Sequence, residues 1–96
     1  MALRFDWDPK KAAKNLRKHR VSFDEARTVF ADPLGRIVDD PRHSAQEERL
    51  VLLGYSAEQR LLAVMFTDVG FGDDEEIRLI SARRATRRER REYEEG

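Results

Sequence analysis

Two hydrophobic periods alternate along the chain, and each change of period marks the border of an element. Arg4 to Trp7 alternates polar and apolar side chains, as a short strand does. Asp8 before Pro9 places an N-cap ahead of proline at the first helical position, which predicts a helix from Pro9 to about His19. Its apolar stripe is thin. Ala12, Ala13 and Leu16 lie on one side, while Lys11, Asn15 and Lys18 fall at i, i+4 and i+7 on another, with His19 next to them. Ser22-Phe23-Asp24-Glu25 has the capping-box pattern, and Phe23, Ala26, Val29 and Phe30 supply the apolar face of a second short helix ending before Asp32-Pro33.

After Gly35 the period shortens. Arg36 to Asp39 reads as a strand, followed by a polar loop from Asp40 to Gln46. Glu48 to Tyr55 and Arg60 to Thr67 are apolar runs separated by Ser56-Ala57-Glu58-Gln59, which is hairpin spacing, and Glu76 to Ala82 pairs next after the acidic loop Asp68 to Glu75. Thr86-Arg87-Arg88-Glu89 is a second capping box and opens a last helix to about Glu94. Tyr93 is its one apolar group. A helix so polar either lies loosely on the surface or is completed by a partner.

Composition adds the matter of partners. The 96 residues suit one domain with one core, and the 40% charged content is well above the roughly 25% of ordinary globular domains. Formal net charge is zero, yet the charges are sorted into blocks. Pro9 to Arg20 carries six cations and no acid, Val21 to Glu76 sets thirteen acids against five arginines, and Ile77 to Gly96 sets seven arginines against four acids. Cationic ends of this kind point to a polyanion partner, or else are solvated faces. Cysteine is absent, so disulfides, thiolate zinc sites and a cysteine nucleophile are excluded. No signal peptide and no apolar run near the ~20 residues of a membrane span is present, which points to the cytoplasm and away from membranes.

FDWDPKKAAKNLRKHRVSFDEARTVFADP at the front, ER with LLGYS in the middle and IRLISARRATRRERREYEE at the back resemble the BrnT family of bacterial toxins. The resemblance covers nearly the whole chain. It implies a small RelE-like α+β domain, with two N-terminal helices packed on an antiparallel sheet of about four strands and a helix at the C-terminus. It also implies an endoribonuclease that works without a metal or other cofactor, arrests translation by cleaving RNA such as ribosome-associated mRNA, and is neutralised by a BrnA antitoxin. By matching motif it draws attention to Trp7, Lys11, Lys18, His19, Arg49, Arg83, Arg87 and Tyr93.

These residue types suit the chemistry. Attack of a 2′-hydroxyl on its neighbouring phosphate needs one group to take a proton, another to give one, and positive charge at the phosphorane-like transition state. Histidine titrates near pH ~6.5, and only His19 and His43 are available. His19, at the end of a basic helix, is the preferred candidate; its alternative role is to close that helix against the C-terminal dipole. Arg83, directly after a strand, and Arg49, on its neighbour, could hold phosphate through the planar guanidinium fork; otherwise they pair with the acidic middle. Tyr93 could donate a proton or stack on a base, Trp7 could stack or lie in the core, and Lys11, Lys18 and Arg87 could follow the RNA backbone. The histidines and scattered aspartates have no metal-ligand spacing. A non-catalytic RNA- or ribosome-binding module would use the same cations without proton transfer, whereas a purely structural interaction protein would account for the polar last helix but not for the cations.

Overall fold

The computed structural model describes residues 3–39, 49–68 and 75–96. His43 and Asp40 lie outside these residues. The described chain forms β1 (Leu3–Asp6), α1 (Pro9–His19), α2 (Phe23–Thr28), a 3₁₀ turn (Val29–Ala31), β2 (Arg36–Asp39), β3 (Leu50–Tyr55), β4 (Leu61–Asp68), β5 (Glu75–Arg84) and α3 (Arg87–Glu95). The α+β class and the three helices agree with expectation. The sheet does not: it has five strands in the order β1-β5-β4-β3-β2, and β1 runs parallel to β5, with Leu3 opposite Glu75 and Asp6 opposite Arg78. An ion pair between Arg78 and Asp6 fastens that edge. An antiparallel, four-stranded sheet omits this contact because a strand's period reports which face it buries and says nothing of a partner seventy residues along the chain.

Each helix is delimited by the groups that the sequence places at its ends. Asp8 accepts from Lys10 N at 2.9 Å, and Ser22 Oγ accepts from Glu25 N at 3.0 Å. The box on α3 is closed on both sides: Thr86 Oγ1 accepts from Glu89 N at 3.1 Å, and Glu89 Oε1 accepts from Thr86 N at 2.8 Å. α1 stops where Arg20 takes a left-handed conformation, φ 60°, and its N–H returns to Leu16 O.

The sheet buries both faces. On one, Phe23, Ala26 and Val29 of the second helical segment meet Leu52, Leu62, Val64, Phe66, Ile77 and Leu79, with Phe30 set edge-on between Phe5 and Phe66. On the other, Val51, Leu53 and Ala63 are covered by Val38, Met65 and Tyr93. α3 is therefore docked on the sheet rather than loose, through its one aromatic residue. Tyr93 stands edge-on to Tyr55 and donates to Asp32 Oδ2 at 2.8 Å, and Arg36 Nη1 reaches Glu92 O at 3.3 Å.

The buried side of α1 is not the alanine-leucine stripe. Leu16 is half exposed, and the helix turns Ala12, Asn15 and His19 inward, at i, i+3 and i+7. Asn15 explains the choice. Its Nδ2 donates to Val21 O at 2.9 Å and to Ala82 O at 2.8 Å, while its Oδ1 accepts from Ala82 N and Ser81 Oγ, both at 3.1 Å. Beyond Arg78, where β1 has ended, the amide thus takes over the outer edge of β5. Across β4 the register passes from Phe66–Leu79 to Met65–Ser81, leaving Ile80 as the extra residue of a β-bulge.

Candidate active site

The bulge and the end of α1 open on the same depression. A cleft of about 800 Å³ runs over Val38, Val51 and Met65, with Lys18 and His19 contributed by α1, Ile80, Ser81 and Arg83 by β5, Arg49 by the residue ahead of β3, and Arg88, Glu89 and Glu92 by α3. A smaller recess of about 160 Å³ lies along α1, lined by Lys11, Lys14 and Asn15, and shares Lys18, His19, Ile80 and Ser81 with the cleft. Ile80 and Ser81, at the bulge, line both spaces and so join recess to cleft.

Within the cleft Arg83 is fixed by a forked bridge: Nη1 donates to Glu89 Oε1 at 2.7 Å and Nη2 to Glu89 Oε2 at 2.9 Å. Both side chains keep some access to solvent, 28% for Arg83 and 18% for Glu89. Burial pushes the Glu89 carboxyl up, but the Arg83 guanidinium and the Thr86 N–H outweigh it and hold the group below its ordinary value. The carboxylate is thus ionised at neutral pH. Arg83 in turn is held at the end of a strand by a carboxylate on the next helix, which is a rigid mounting for a phosphate-binding fork.

Of the residues singled out in the sequence, Lys18, His19, Arg49 and Arg83 are brought together, and Lys11 joins them through the recess. Trp7, Arg87 and Tyr93 line neither space. Trp7 packs its edge on Phe23, with ring centroids 5.8 Å apart, against the first core cluster. Arg87 is exposed on the first turn of α3. For Tyr93, burial first, then the hydrogen bond to the Asp32 carboxylate, push its hydroxyl up to about 12. The same side chain docks α3 on the sheet.

Glu89, Asn15 and Ser81 were not foreseen. Glu89 was legible only as the far end of a capping box, and a carboxylate that caps a helix can also face a cleft. Asn15 stood among lysines, where nothing marks one polar side chain as buried. Among the described residues, no group of three or more histidine, aspartate and glutamate side chains is gathered as a metal site, and no helix is long and apolar enough to cross a membrane.

A family model described as "Ribonuclease toxin, BrnT, of type II toxin-antitoxin system" matches residues 7–89. Curated proteins give no match by sequence. Among solved structures, the fold is similar to the 1.1 Å crystal structure of the ribonuclease toxin BrnT of Brucella abortus, with a TM-score of 0.63 at 22% identity, covering 90% of this chain and 100% of that one. At that identity the likeness speaks for the fold. The match of residues 7–89 takes in α1, the whole sheet from β2 onward and Glu89.

Proposed function

Since the chain belongs to the BrnT family of ribonuclease toxins of type II toxin–antitoxin systems, we propose that its cleft cuts single-stranded RNA internally, with no metal ion, by attack of a 2′-hydroxyl on the adjacent phosphate. The observation that carries this reading is the gathering of His19, Lys18, Arg49 and Arg83 around one cleft. Arg83 and Arg49 receive the scissile phosphate and stabilise the charge that grows on it, an effect of order 10²-fold to 10³-fold per well-placed donor. His19 gives its proton to the leaving 5′-oxygen. Lys11 and Lys14 in the recess hold a neighbouring phosphate, and Arg87 meets longer RNA at the surface. Trp7 and Tyr93 serve the core and the docking of α3.

In the cell the protein acts in the cytoplasm on mRNA, including messages on ribosomes, and is silenced by a BrnA-like antitoxin that covers the cationic cleft. The test is incubation of the purified chain with an unstructured RNA in excess chelator. New ends carrying 2′,3′-cyclic phosphate are the expected result. RNA retention without new ends would replace the enzyme by an RNA-binding module.

A further inference from the structure

The chemistry above names a proton donor but leaves the 2′-hydroxyl without a base, and among the described residues the cleft holds three carboxylates: Asp39, Glu89 and Glu92. Resting on the ribonuclease reading, we propose that Glu89 is the general base of this site, with Arg83 doubling as its holder and as the phosphate ligand. Three observations converge. Glu89 is bonded to the very guanidinium that receives the phosphate, so a hydroxyl next to that phosphate comes within its reach. Among the described residues, its Oε1 is filled by Arg83 Nη1 and Thr86 N, whereas Oε2 takes one bond, from Arg83 Nη2, and keeps a lone pair for a substrate hydroxyl. The side chain is mostly buried yet open at the cleft, which fixes its direction without sealing it.

The step balances within the site. Oε2 of Glu89 takes the proton from the 2′-hydroxyl as O2′ bonds to phosphorus; the P–O5′ bond breaks; the protonated His19 imidazole delivers its proton to O5′. The products are a 2′,3′-cyclic phosphate and a 5′-hydroxyl. One carboxylate and one imidazole lining the same cleft as the phosphate-binding arginine complete the proton inventory. The charged groups sharing the cleft with Glu89 are Arg83 on β5, Lys18 and His19 on α1, Arg36 and Asp39 on β2, and Arg49 ahead of β3, with Arg88 and Glu92 on its own helix. Cations predominate, which keeps Glu89 ionised through the neutral range.

A substrate whose 5′-bridging oxygen is replaced by sulfur separates the two proton transfers, because a thiolate leaves without help from an acid. With that RNA the wild-type rate should be flat from about pH 6 to 8.5, and His19→Gln should recover most of what it loses on ordinary RNA. Glu89→Gln keeps the acceptor for Thr86 N but cannot take a proton. It should lose 10²-fold to 10⁴-fold at neutral pH on both RNAs, and on the sulfur-bridged RNA, where no acid is needed, its residual rate should climb about tenfold per pH unit as hydroxide replaces the base. Glu89→Asp, which retains a carboxylate of shorter reach, should restore a flat profile at reduced rate. A flat but slow profile for Glu89→Gln would overturn the proposal and leave Glu89 as a positioning residue for Arg83; a wild-type rate would remove it altogether. Wild-type chain that cuts neither RNA would instead overturn the ribonuclease reading on which this rests.

Discussion

Asn15 presents to β5 the donor and acceptor that a neighbouring strand would have supplied, and it does so from a helix. Truncation to alanine strips Ala82 of both partners and Val21 of one, so Asn15→Ala should cost about 2 to 4 kcal/mol, read from urea unfolding. Asn15→Asp should cost at least as much, since it sets a charge against two carbonyl oxygens in place of two donors. RNA cleavage should fall with it, because His19 lies one turn further along the same buried stripe. Such a residue is hard to read in advance. Amphipathic helices are recognised by the period of their apolar groups, and here two alanines and a leucine offered a better stripe than the amide that is actually buried. His19 and Arg83, by contrast, were legible because their positions follow from element ends: the left-handed stop at Arg20 and the last pairs of β5 with β4.

Between elements, a buried polar tie joins α2 to the β3–β4 turn. Glu25 is buried, accepts from Arg60 Nε at 2.9 Å and from Ser56 Oγ at 2.7 Å, and Arg60 Nη2 also closes on Arg20 O at 3.0 Å. The Arg60 hydrogen bond is the chief cause that holds the Glu25 carboxyl below its ordinary value, against a burial that pushes it up. A folded value below the unfolded one, about 4.3, means stability that is present above that pH and lost as pH falls through the folded value. Arg60→Met should therefore destabilise the protein by roughly 2 to 4 kcal/mol at pH 7, somewhat below the cost for a fully desolvated pair because Arg60 is partly exposed. It should also invert the acid response, the variant gaining relative stability as the stranded Glu25 takes up a proton; urea midpoints between about pH 3.5 and 7 decide this. Caps, hairpin spacing and period were enough to place every helix and the strands β2 to β5 to within a residue or two. The parallel edge was not, because β1 is short, mostly exposed and held by a strand at the far end of the chain. Nor was the docking of α3, where one tyrosine packed against the Val51, Leu53 and Ala63 cluster is joined by polar ties from Asp32, Arg36 and Arg83.

At the scale of the whole molecule, cations from the two basic blocks of the sequence converge on one cleft between α1 and α3. An antitoxin that silences it by covering this cleft should associate quickly at low salt and more slowly as salt shortens the reach of exposed charges to a Debye length of ~8 Å at physiological strength. Its dissociation should respond less, being governed by contacts made after docking. Association and dissociation rates across a salt series measure both, and an on-rate indifferent to salt would count against charge-led recognition of the cleft. The pairing of the first strand with the last has a further consequence, in time rather than in space. A chain leaving the ribosome presents its N-terminus first, so α1, with Lys18 and His19, emerges well before the residues it must join. Until β5 and α3 follow, β1 has no neighbour, Asn15 has no strand edge to grip 67 residues away, and neither Arg83 nor Glu89 stands beside the histidine. The nascent chain therefore lacks the proposed site until β5 and α3 have followed α1.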